Sequence, residues 1–181
     1  MKIRFIFLTA IAVTLLASCE FLDSLDDYKD PEVKYTATYP LNGEWYVKLD
    51  AFVGSDENSD DPGEWLLDPY SQGYTKIMLY NTASNVADSI WIDDLGFWPL
   101  KAKITCNPKN KLFLPVAGAP NKKVAGGSVR IVRGGVFLGG ALTAAGNKTD
   151  SINIVLEFSD DPGQIYRYTG YRRTGFLEDE H

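Results

Sequence analysis

Gly43-Glu44-Trp45-Tyr46-Val47-Lys48-Leu49-Asp50-Ala51-Phe52-Val53 decides the fold class. Trp45, Val47, Leu49, Ala51 and Val53 fall on one side of an extended chain, and Tyr46, Lys48 and Asp50 on the other. That is period two, the pattern of a strand with one face on a core. The same rhythm recurs downstream in residues 74–82, 89–93 and 100–106. Asn107-Pro108-Lys109-Asn110 is a compact turn, with proline suited to its second position, and should pair 100–106 with 111–116 as a hairpin. Residues 128–133 and 136–142 flank Gly134-Gly135, a two-residue hairpin signal. Gly139-Gly140 inside the second of these segments suggests a bulge or bend. Ile152, Ile154, Leu156 and Phe158 alternate with polar neighbours, and Ser159-Asp160-Asp161-Pro162-Gly163 turns the chain into a last strand over 165–174.

The list amounts to an all-β domain of about eight to nine short antiparallel strands over residues 41–176. A closed barrel and a two-sheet sandwich both produce such a list. Consecutive hairpins favour the up-and-down barrel, which also removes exposed strand edges. The last five residues, 177–181, read as a disordered acidic tail.

Upstream of the domain the pattern changes. Residues 1–18 combine Lys2 and Arg4, an apolar run over 5–16, and the small pair Ala17-Ser18, the three parts of a secretory signal. The apolar run is shorter than the roughly 20 residues that span a bilayer core of about 30 Å. Leu16-Ala17-Ser18-Cys19 resembles the lipobox of bacterial lipoproteins, in which the leader is cut before the cysteine and the thiol is lipidated. Residues 19–40 then read as a lipidated cysteine and an acidic tether, crowded with Asp23, Asp26, Asp27, Asp30 and Glu32 and interrupted by Pro31. Acidic residues in this place also resemble a surface-export signal of some lipoproteins; a plain solvated spacer is the alternative. The address implied is the cell envelope, anchored at the outer membrane through Cys19.

Charge and cysteine content follow from this reading. Lys2 and Arg4 leave with the leader, so the remaining 163 residues carry 16 basic against 24 acidic groups, a net charge of −8. Such a chain, without a basic cluster, points away from nucleic acid, and leaves membrane attachment to the acyl chains. A lipidated Cys19 cannot form a disulfide, so Cys106 is expected as a buried small hydrophobe on the face of Ala102 and Ile104.

Gly43-Glu44-Trp45 looks like the Gly-x-Trp signature of lipocalins, in which the tryptophan plugs the closed barrel end and an arginine of the last strand packs across it. Arg172 and Arg173 are the candidates for that arginine, and Arg173 is taken as the partner of Trp45. More of the chain, from the lipobox through Asn42-Gly43-Glu44-Trp45-Tyr46-Val47 to Gly170-Tyr171-Arg172-Arg173-Thr174-Gly175-Phe176, resembles a small bacterial lipoprotein family catalogued as lipid-binding putative hydrolases. The resemblance implies a lipocalin-like barrel and a lipid ligand. It carries no catalytic positions onto this chain.

The residues themselves argue against an enzyme. The one histidine, His181, ends the chain, whereas a Ser-His-Asp or Cys-His set needs an imidazole held beside its nucleophile. Gly126-Gly127-Ser128-Val129-Arg130 lacks the closing glycine of a nucleophile elbow and enters a strand. Zinc ligands are missing, and no spacing singles out a carboxylate pair. Asp56, Asn58 and Asp60 match the first three ligand positions of a calcium loop, but Asp61 and Leu67 occupy the places of its glycine and glutamate, so a polar loop is expected and no metal or cofactor.

The expectation is therefore a monomeric, lipid-anchored barrel that binds or carries a hydrophobic small molecule or lipid. Cavity candidates are Trp45, Leu49, Ile77, Leu79, Ile154 and Leu156, with Trp65 on the long loop 54–73 turned inward as a lid, or that loop as plain packing. Aromatic side chains filling the core, and a surface module that binds a glycan or protein through exposed aromatics, are the competing readings. A carboxylate-dependent hydrolase is the weaker third.

Overall fold

In the computed structural model every strand from Gly43 to Arg172 finds an antiparallel neighbour, and the first meets the last. The structure describes residues 32–54 and 63–181, of which 35–181 form one compact unit. The leader, Cys19, most of the acidic tether and the polar loop of Asp56–Pro62 lie outside the described residues.

The strands are β1 (Gly43–Val53), β2 (Glu64–Leu66), β3 (Thr75–Asn81), β4 (Ser89–Asp94), β5 (Lys101–Asn107), β6 (Leu112–Phe113), β7 (Val116–Pro120), β8 (Ser128–Leu142), β9 (Lys148–Phe158) and β10 (Ile165–Arg172). Their order is β1-β3-β4-β5-β6-β8-β9-β10, and β10 returns to β1 over seven register pairs from Trp45–Arg172 to Ala51–Tyr166. This closes an eight-stranded up-and-down barrel, with β2 added beside β1 and β7 beside β8. Closure distinguishes the barrel from a sandwich, because it leaves no edge between β1 and β10.

Alternation works as read on β1: Trp45, Val47 and Leu49 face inward with at most 5% of their surface exposed. Val53 does not join them. It lies past the barrel wall, paired with Glu64 of β2, and is 51% exposed. The outward Tyr46 and Asp50 are also buried, because the chain's own C-terminal residues cover one and residues 65–68 the other.

The predicted hairpin at Gly134-Gly135 does not form. β8 runs straight through it for 15 residues. A two-residue turn would need positive φ, which neither glycine adopts. Their missing side chains serve close approach instead: a Cβ on Gly134 would stand 2.6 Å from the Asn153 carbonyl oxygen. The bend expected at Gly139 is present, with φ +60 and a register shift between Phe137 and Ala141.

The tail also departs from expectation. Leu177–Asp179 is a 3-10 turn folded onto the barrel, and Asp179 is 2% exposed. Its carboxylate accepts hydrogen bonds from Thr174 Oγ1 at 2.6 Å and Asn147 Nδ2 at 3.1 Å. Glu180 joins Arg173 and Tyr46, and the His181 ring stacks on Tyr74 at 4.5 Å. Polar bonding and ring stacking hold residues whose composition alone reads as a solvated end.

Candidate functional site

Trp45, Leu49, Ile77, Leu79, Ile154 and Leu156 come together as expected, but as a filled core. All six belong to one buried cluster, each between 0 and 5% exposed. A void able to admit water would leave accessible area on the side chains around it. The interior therefore holds no open chamber bounded by these six, and the alternation that points them inward packs them against one another.

Trp45 sits at one barrel end with its ring beneath the Arg172 guanidinium, 4.4 Å from the ring centroid. Arg172 also pairs with Asp150 at 3.1 Å and donates to the carbonyls of Pro40 (3.0 Å) and Asn42. These contacts fasten the Tyr39–Leu41 turn, whose Leu41 is fully buried, across that end. The partner is thus Arg172 and not Arg173. Arg172 is in register with Trp45 and shares its inward face; one residue on, Arg173 points outward to Glu44 and Glu180.

The other end is packed with rings. Trp98 stacks on Phe158 at 4.9 Å and lies 5.8 Å from Tyr166. The residues that position it were not singled out in the sequence. Asp94, 1% exposed, accepts from the backbone N–H groups of Gly96 (3.0 Å) and Phe97 (2.9 Å) and from the hydroxyl of Tyr168 (2.7 Å). Burial, reinforced by that carboxylate, holds the Tyr168 hydroxyl protonated far beyond the ordinary tyrosine range. The only sequence signal was an Asp directly before a glycine turn, which is common in any loop.

Trp65 is not a lid over the barrel. It pairs through β2 with Phe52, and the outward face of Phe52 carries it onto the outer wall. There it stacks edge-on with Phe52 at 5.3 Å and lies under the Arg167 guanidinium at 4.2 Å. Arg167 pairs with Asp50 at 2.8 Å, and Asp50 also accepts from Thr169 Oγ1 and the Asp68 backbone N–H. Tyr70, from the same loop, is the side chain that reaches the ring-packed end, bonding the Tyr166 hydroxyl at 3.1 Å.

Cys106 is buried and free, and burial together with Asp88 pushes its thiol up to about 11. The imidazole of His181, expected at the end of a disordered tail, is held among Tyr46, Tyr74 and Tyr171, with the Tyr171 hydroxyl and the three rings for partners. Among the described residues, no group of three or more His, Cys, Asp or Glu is arranged around a metal position, and no helix is long and apolar enough to cross a membrane.

With the interior filled, the hollows of the structure are on its outside. A cleft of about 340 Å³ lies on the wall at β6 and β8, bounded by Leu112, Arg133, Gly134, Gly135, Phe137, Asn153 and Arg167. Leu112 is 42% and Phe137 57% exposed, apolar surface at a place the chain keeps open. Gly135 is its floor: a Cβ there would lie 3.3 Å from Leu112 and 3.0 Å from the Lys111 carbonyl. No curated protein matches the chain in sequence. The family model described as lipid-binding putative hydrolase matches residues 30–177, most of the chain, and the protein belongs to that family.

Proposed function

We propose that the protein is a lipid-anchored, monomeric envelope protein that binds a lipid or another hydrophobic small molecule without chemistry, and that the ligand lies in the outer cleft of β6 and β8. The carrying observation is the cleft itself. It pairs the exposed Leu112 and Phe137 with the polar Asn153 and the cationic Arg133 and Arg167, at a volume of about 340 Å³. A small apolar ligand needs about 300 Å³ or more of concave, mostly apolar space with a few polar groups to orient it. Membership of a lipid-binding family and the β-barrel both fit such a ligand. The anchor rests on Leu16-Ala17-Ser18-Cys19, and the absence of chemistry on a sequence with one histidine, whose ring is held among tyrosines.

Native mass spectrometry of protein purified from its own cells tests the ligand and its place. Wild type should retain a lipid and Phe137→Ser should lose it, while the two proteins stripped of lipid should unfold at the same temperature. Retention by Phe137→Ser would move the ligand out of this cleft. Lipid labelling lost in Cys19→Ser tests the anchor. Turnover of an ester or glycoside that disappears on replacing one acidic residue would overturn the non-catalytic reading.

A further inference from the structure

The outer face of β8 presents Arg133, Gly135 and Phe137 in alternation, and strand register carries each across to its neighbours. Arg133 is in register with Val155 on β9, and Val155 with Arg167 on β10. The next rung joins Leu112, Gly135 and Asn153 across β6, β8 and β9. Phe137 belongs to the rung beyond, opposite Ser151. Charge and apolar surface are thus separated along the cleft. Two arginines stand on the first rung, a glycine floor between Leu112 and Asn153 on the second, and an exposed phenylalanine on the third.

We propose, on the reading that this cleft is the lipid site, that its ligand is a long-chain fatty acid, with the carboxylate between Arg133 and Arg167 and the chain laid over Gly135 against Leu112 and Phe137. The whole sequence carries a net −6, yet the described residues lining the cleft include two arginines and no acid. The Cα atoms of the two arginines are about 10 Å apart, two strand spacings. Val155 between them is apolar and only 1% exposed, so no acid separates them on that rung. Arg167 is held in place from the β1 side. Asp50 accepts from its Nε and Nη2, two of the five N–H donors of a guanidinium, and the Trp65 ring lies against it at 4.2 Å. A cation fixed before the ligand arrives loses less freedom on binding. The planar guanidinium also matches the paired oxygens of a carboxylate. Successive rungs on one face are about 7 Å apart. A chain leaving the carboxylate therefore crosses Gly135, where the missing Cβ leaves space, and meets Phe137 one rung later. The volume of about 340 Å³ is close to the roughly 300 Å³ lower limit of small-ligand sites, which suits one chain with a small head over a diacyl lipid.

Isothermal titration of the full chain, stripped of lipid, with dodecanoate below its micellar concentration tests the proposal against dodecanol and dodecyl phosphate. Dodecanoate should bind about tenfold more tightly than dodecanol, equal to about 1.4 kcal/mol, and salt should narrow the difference. Arg133→Gln should abolish that preference and leave the affinity for dodecanol unchanged. Arg133 is exposed, so its replacement should not disturb folding, whereas Arg167 also holds the buried Asp50. Phe137→Ser should weaken both ligands. Equal binding of dodecanol and dodecanoate, tighter binding of dodecyl phosphate, or an intact preference in Arg133→Gln would each overturn the fatty-acid assignment and leave the cleft as the lipid site. Binding of neither chain by wild type, or undiminished binding of both by Phe137→Ser, would overturn the cleft itself, and the assignment with it.

Discussion

Leu156→Ala measures directly whether the barrel is filled. Leu156 is fully buried, in register with Ile131 on β8 and Tyr166 on β10. The substitution removes three carbons at about 0.8 kcal/mol each, roughly 2.4 kcal/mol of lost transfer energy. A close-packed surround collapses only partly, and a residual void of about 60 Å³ at about 24 cal/mol per Å³ adds roughly 1.4 kcal/mol. The expected loss is about 4 kcal/mol. In a domain of this size each kcal/mol moves the midpoint by about 3 °C, so thermal unfolding should fall by about 12 °C. Urea unfolding, with a slope of about 2 kcal/mol per M, should shift by about 2 M. A fall of less than about 3 °C would refute the reasoning. It would mean that Leu156 already bordered free space, and that the interior is a chamber able to hold the ligand.

Three further outcomes follow from the same geometry. Arg172→Ala should cost about 2–3 kcal/mol, since it uncovers Trp45 and releases Asp150 and two carbonyls, whereas Arg173→Ala removes only solvent-screened ion pairs and should cost clearly less; thermal unfolding of the two variants compares them directly. Gly170→Ala should cost about 3 kcal/mol or more, because the new Cβ would press on the Tyr46 carbonyl oxygen, backbone that cannot yield without opening the β1–β10 seam; amide exchange at Val47 should accelerate more than at Ile92. Cys106 should resist alkylation at pH 8 in the folded chain and react once unfolded. Its folded thiol titrates near 11, above the ordinary 9, so the unfolded chain loses that proton first and stability should decline as pH rises from 9 toward 11.

The strand pattern was legible because it depends on period two alone, and the inward candidates on β1, β3 and β9 are inward in the structure except Val53, which lies past the barrel wall. The misreadings share one cause. Gly134-Gly135 carries the composition of a turn, and only the Asn153 carbonyl and β6 beside it make it a flat crossing in a continuous strand. Arg172 and Arg173 are equivalent in sequence and are separated by one step of strand alternation, which only the register with Trp45 resolves. Trp65 is apolar in a long loop and could be sent inward or outward; pairing of β2 with Phe52 sends it outward.

By itself, then, the sequence determined an all-β domain, the members of its core, the buried Cys106 and the acidic balance of the chain, because these follow from local alternation and composition. Tertiary structure decided whether the core encloses space. Cavity-lining and core-filling residues have the same pattern, and only the distance across the closed barrel separates them. It also decided where ligands can meet the protein. The cleft of Leu112 and Phe137 assembles from β6, β8, β9 and β10, at a place where register and a missing Cβ leave room.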